Sequence, residues 1–292
     1  MRHHYVPQFL LAAWAEGAAD WRLEVFRLDL PNLPTSRHAP RYTAFEDNLY
    51  ALTRPVVAGM RQQAVETLVL RRVDEMAANV RRKMIAQGLA SLAPDERMDW
   101  ARFLMSLRVR QPAMVAYLRT EAEQGLRESL RSNPIDYEEL AGRSDPPSLE
   151  VWTEDRFPGL IENFGLSFFH ELVDNAEIGT LLMNMRWWLW DLSDQPHDLL
   201  LADDPCIISS AIRDPNVMLA LPISPRKLFA ATRGDDVAGT LRRLPRRTIA
   251  MRVNESSANQ ARVRIYSRDG SPRRFVENRL AHRRATEMQR NV

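Results

Sequence analysis

The chain has 292 residues, 45% of them hydrophobic, which is enough for a sizeable core and excludes wholesale disorder. Its formal net charge of +2 hides an uneven distribution: residues 226–292 carry 17 Lys+Arg against 6 Asp+Glu, and the remaining residues 23 against 32. No apolar run approaches the roughly 20 residues that span a bilayer. Pro7, Trp14 and Glu16 interrupt any secretory leader. The lack of a bilayer-length run leaves no membrane partner expected, and the single Cys206, which excludes an intrachain disulfide and a zinc–cysteine cluster, points to a reducing, cytoplasmic setting.

Residues 3–16 read as a short extended entry followed by a helical turn, because Pro7 disfavours helix at Val6. Arg22–Leu28 alternates as a strand does. Pro31, Pro34, Ser36 and Pro40 mark an irregular loop, and Asn48–Leu52 a second short strand or turn. From Val57 to Gln87, Met60, Ala64, Leu68, Met76, Val80 and Met84 recur mostly at four-residue steps, a helix that Gly88 should end. Pro94-Asp95 opens another helix, expected to kink at Pro112 and stop at Asn133-Pro134. Glu154–Asn175 is a third helical candidate. The last third changes to short strands at Leu182–Leu192, Leu199–Ala202, Val217–Leu221 and Lys227–Ala231. A helix over Arg247–Ala261, a strand over Val263–Ser267 and a helix over Pro272–Arg290 follow. The expected fold class is α+β: one domain over 1–292, with a mixed sheet built from the N- and C-terminal segments. A long helical insert (57–178) and a mainly β, then α, basic subregion (180–292) complete it.

The chain has no Walker loop, dinucleotide fingerprint or Gly-x-Ser-x-Gly elbow. The opening, His3-His4-Tyr5-Val6-Pro7-Gln8-Phe9-Leu10, sets two adjacent histidines and a tyrosine close to the N-terminus, ahead of an apolar run. Imidazole is the side chain best suited to proton transfer or metal binding near neutral pH. Cys206, before Ile207-Ile208, reads as an inert core thiol. Trp187, Trp188 and Trp190 read as core packing rather than base-stacking positions.

This opening resembles the start of the bacterial family known as domain of unknown function 4238. Further similarities are Glu46-Asp47-Asn48-Leu49-Tyr50, an acidic helical residue at Glu66, Arg110-Gln111-Pro112, Ala202-Asp203-Asp204-Pro205, Leu221-Pro222-Ile223-Ser224-Pro225, Asn254 and Tyr266-Ser267. Ala202 stands where that family usually has a hydroxyl, and Ile223 separates Pro222 from Ser224. The family name implies no activity, so function rests on the residues.

If strands from both ends share a sheet, His3, His4 and Asp203 come together as a catalytic set, the carboxylate fixing an imidazole tautomer. Arg110, Asn254 and Tyr5 would hold substrate, the arginine gripping a phosphate with two prongs. That set suits hydrolysis of a phosphate-containing substrate, nuclease-like, with or without a divalent metal ion. The competing reading makes the same residues structural hydrogen-bonding groups. Arg279 and Arg283, one turn apart on the last helix, suggest a nucleic-acid-binding face. The partner is then a nucleic acid or nucleotide, and the alternative to an enzyme is a non-catalytic nucleic-acid-binding or regulatory, defence-associated module.

Overall fold

The structure is a computed structural model that describes residues 1–53, 63–132, 135–142 and 144–290. The N-terminal part runs β1 (Arg2–His4), α1 (Gln8–Ala15), β2 (Leu23–Arg27), β3 (Thr35–His38) and β4 (Phe45–Asp47). A π-helical segment, Val65–Leu70, feeds directly into α2 (Arg71–Gln87), followed by α3 (Pro94–Val109), α4 (Pro112–Ser132) and α5 (Ile135–Leu140). Short helices α6 (Leu149–Arg156), α7 (Leu160–Ser167), α8 (Phe169–Val173) and α9 (Ala176–Asn184) lead to β5 (Arg186–Asp191). The chain closes with β6 (Leu201–Ala202), β7 (Ile207–Ile208), β8 (Met218–Ser224), β9 (Lys227–Thr232), α10 (Asp235–Arg243), α11 (Arg246–Gln260), β10 (Arg264–Ser267) and α12 (Arg273–Arg290). The fold is α+β.

One sheet is built from both ends of the chain, in the order β3-β2-β10-β6. Its centre is β10, with Tyr266 opposite Val25 on one side and Leu201 on the other. Its strand pairs are all antiparallel, where a mixed sheet was expected. Parallel pairing needs a strand–helix–strand crossover, and among the described residues the helical excursion instead returns from the opposite end. A second antiparallel sheet has the order β5-β9-β8-β7, and β1 pairs with β4 in a two-stranded ribbon.

The main core joins Leu10, Leu11 and Trp14 of α1 to Trp100 and Phe103 of α3, Phe229 of β9 and Tyr266 of β10. The Trp14 indole N–H donates to the Leu199 carbonyl at 2.8 Å, tying α1 to the last third of the chain. Gly88 ends α2 at φ 82, a left-handed position that glycine adopts without cost. Gly165 lets α7 lie on α4, since a Cβ there would meet the Leu118 carbonyl at 2.0 Å.

Several boundaries differ from the sequence expectations. The expected helix start at Val57 with Met60, and the Asn133-Pro134 stop, lie outside the described residues. Pro112 separates two helices rather than kinking one: α3 closes at Arg110, and proline suits the first turn of α4. The expected Glu154–Asn175 helix is three short ones, broken at Gly159 in the left-handed region and at Phe168. Residues 35–38 form a strand rather than loop, because β3 is an edge that Pro34 can precede without losing a ladder bond. Cys206 is fully buried and its thiol is pushed up to about 12 by burial, as an inert core residue should be. The Trp187 indole is buried, donating to the Leu182 carbonyl at 2.9 Å, with the Arg97 guanidinium 3.8 Å from its ring centre. Trp188 and Trp190 stack on each other at 5.6 Å and pack against the core.

Candidate functional site

β1 carries His3 and His4 into the protein, where both are buried. His3 Nδ1 accepts the Tyr50 backbone N–H at 2.8 Å, so the ring proton sits on Nε2 and faces the Gln63 side-chain oxygen. The ring stacks on Tyr50, centroids 5.1 Å apart. Both imidazole nitrogens of His3 are therefore occupied. Burial lowers its pKa, and that of His4 falls to about 4, so both rings are neutral at pH 7. His4 Nδ1 lies 3.4 Å from the Gln8 amide, and its ring lies beside the Arg41 backbone, with Nε2 shut away from solvent.

Tyr50 extends this network inward. Its hydroxyl donates to the Arg110 carbonyl at 2.8 Å. The Arg110 guanidinium is wholly buried and grips Asp74 with two prongs, at 2.8 and 3.1 Å, while a third bond reaches Ser106 Oγ at 2.7 Å. The donors of this guanidinium are committed to Asp74 and Ser106. Glu66, on the π-helical segment, lies in the field of Arg110 and Asp74 with one buried carboxyl oxygen unpartnered. Burial pushes its pKa up to about 7. A carboxyl whose pKa is raised from 4.5 in the unfolded chain keeps its full contribution to stability below pH 4.5 and loses it as pH rises towards 7. Stability should therefore fall across that window. The expected result for Glu66→Gln is a flatter profile there, read from urea midpoints at several pH values.

Asp203 is elsewhere. It occupies the turn after β6, where Oδ1 accepts the backbone N–H of Asp204 and Arg262 at 3.1 and 2.8 Å. Its Oδ2 accepts those of Val263 and Arg264 at 2.7 and 2.9 Å. Four backbone donors fill both oxygens, and no hydrogen bond joins Asp203 to His3 or His4. The structure does not bring the expected catalytic set together: β1 pairs with β4, not with the sheet that holds β6, so the His3 imidazole faces Tyr50 and Gln63 and that of His4 faces Gln8 and Phe45. Tyr5 is the nearer residue to Asp203, its hydroxyl accepting from Arg264 Nη1.

The remaining predicted residues are likewise engaged within the protein. Asn254 Oδ1 accepts from Leu200 N at 2.8 Å and its amide donates to the Asp198 carbonyl at 2.9 Å, pinning the strand entry onto α11. Arg279 pairs with Glu255, and Arg283 donates to the Ala261 carbonyl at 2.6 Å, fastening α12 to α11. Among the described residues no group of three or more His, Cys, Asp or Glu could hold a metal ion.

The surface feature that does gather unpaired charge lies beside α1. A cleft of about 810 Å³ is bounded by Gln8, Phe9 and Ala12 on one wall, residues 20–22 at one end and residues 37–42 opposite. Arg37 is held by Asp20 at 2.9 Å and by the Arg22 carbonyl. Arg22 and Arg41 also line the cleft, and neither is ion-paired to a carboxylate among the described residues. The Arg41 guanidinium stands 4.7 Å from the centre of the Tyr42 ring, and that of Arg2 5.1 Å from it. His38, whose pKa is lowered by burial and then by Arg264, Arg22 and Arg27, contributes no charge at pH 7. With one acid against three arginines, the lining is positive. Gln8 joins this cleft to His4. The Arg-aromatic interleaving of Asp20-Trp21-Arg22 and Arg37–Tyr42 was the sequence signal for it, hidden because the second stretch read as a plain proline-rich loop.

No curated protein and no solved structure matches the chain. The family described as Protein of unknown function (DUF4238) has a model that matches residues 2–271, nearly the whole chain. The chain belongs to that family.

Proposed function

We propose that the protein binds a phosphate-bearing ligand, a nucleotide or a nucleic acid, in the cleft between α1 and residues 37–42. The observation that carries this reading is the pair of cleft arginines without carboxylate partners, Arg22 and Arg41, in a volume of the size that small-molecule sites occupy. Guanidinium groups suit phosphate because their donors match its geometry and keep their charge at any physiological pH. Binding fits this site better than hydrolysis, because His3 and Asp203 spend their polar atoms on the fold.

Titration with pyrophosphate at low salt should show saturable binding that weakens as ionic strength rises. The double variant Arg22→Gln/Arg41→Gln should lower affinity by roughly 10-fold or more, since a hydrogen bond to a charged group contributes about 1.5–3 kcal/mol. Unchanged affinity in that variant would remove the reading.

Hydrolysis of the bound ligand is the second reading. Its support is the neutral imidazole of His4, whose Nδ1 is linked through Gln8 to the cleft. In this reading His4→Ala loses turnover and keeps pyrophosphate affinity.

A further inference from the structure

Trp21 stands out in the cleft wall. Its side chain is half-exposed (50%), and no ring stacking, cation–π or hydrogen-bonding partner engages its indole among the described residues. Its backbone sits at φ 51, a left-handed conformation that a bulky non-glycine residue adopts at a cost. The local chain holds it there through the Trp21 N–H to Ala18 carbonyl bond at 3.1 Å. A large apolar ring left half in water, on a strained backbone, at the edge of a positive cleft is expensive for the fold alone. Exposed Tyr42 plays a different part: its ring sits beside the guanidinium groups of Arg2 and Arg41, so it positions charge.

We propose that Trp21 is a stacking platform for an unpaired nucleobase, so that the cleft's ligand is a single-stranded nucleic acid whose phosphates follow Arg22, Arg41 and Arg2. This inference rests on the phosphate-binding reading above and adds the base. A flat indole face takes any base, because every base has a π surface. A duplex keeps its bases paired and stacked internally and offers none to Trp21. A strand longer than one nucleotide would also reach Arg2, which lies outside the cleft lining with its guanidinium 5.1 Å from the centre of the Tyr42 ring.

The test uses the full chain with four probes: a labelled mixed-sequence single strand of ten nucleotides, the same sequence as a duplex, a nucleoside monophosphate and pyrophosphate. Trp21→Gly removes the ring at a position whose φ suits glycine, so the fold is not strained by the change. Trp21→Phe keeps a stacking ring. The single strand should bind tighter than duplex and monophosphate, with tryptophan emission quenched on binding. Trp21→Gly should weaken the single strand by at least about 5-fold. It should leave pyrophosphate affinity unchanged, and Trp21→Phe should retain most of the binding. Arg22→Gln/Arg41→Gln should instead flatten the salt dependence, lowering the log–log slope by about 1.4. Equal binding by Trp21→Gly and wild type, or a duplex or monophosphate that binds as well as the strand, overturns the stacking proposal. If pyrophosphate binding still responds to the arginine pair in that case, the phosphate reading stands. If it does not, both fall.

Discussion

Replacing Arg110 with methionine is expected to cost about 3 kcal/mol of folding stability, the low end for breaking a buried ion pair, because the Asp74 carboxylate it leaves behind keeps some contact with solvent. The guanidinium is fully enclosed and satisfies Asp74 with two bonds and Ser106 with a third. Methionine fills most of the volume but leaves the Asp74 carboxylate without its counter-charge, next to Glu66, whose own carboxyl is already pushed up by burial. Both acids should then take up protons on folding, so the variant loses most stability at high pH and recovers part of it in acid. Equilibrium urea unfolding at pH 5 and pH 8 measures both effects. An Arg110→Met protein as stable as wild type would contradict a stabilising role for the guanidinium.

The second large effect is expected at Asp203. Alanine there deprives the backbone N–H groups of Asp204, Arg262, Val263 and Arg264 of their acceptors. An unsatisfied buried donor costs about 1–3 kcal/mol, and water will reach some of these, so roughly 3 kcal/mol in total is the expected loss. Asparagine keeps one acceptor oxygen and should fall between the two. The damage should be local to the β6–β10 junction, because Asp203 holds the turn that delivers residues 262–264 into the sheet centre. Amide hydrogen exchange should accelerate first at Ile265 and Tyr266. A catalytic Asp203 predicts the opposite pattern, an inactive protein with unchanged midpoint.

Much of the architecture was legible from periodicity. The alternation at Leu23–Arg27 and the turn residues of the last third placed β2, β8 and β9, and the repeated apolar spacing placed α2, α3 and α11. Long-range pairing was legible only in part. Strands at both chain ends, and a sheet shared between them, were expected from the sequence, yet which partner β1 would choose was not. Three residues with little apolar content carry almost no register information. That one choice, β4 rather than the central sheet, separates His3 and His4 from Asp203. The polar residues singled out in the sequence all have hydrogen-bond partners within the protein. Sequence shows that His3, Arg110, Asp203 and Asn254 are chemically capable, but burial and partner geometry decide whether a polar group serves a ligand or the backbone. The cleft was missed for the converse reason: its arginines come from two segments that meet only when β3 forms.

The central claim is that ligand chemistry belongs to the cleft beside α1, and that His3, Asp203 and the C-terminal arginines Arg279 and Arg283 serve the fold. Hydrogen exchange of the intact protein, with and without saturating pyrophosphate, tests it most directly. The account predicts new protection at residues 20–22 and 37–42. Protection confined to residues 273–283, or around 203 and 262–264, would contradict it.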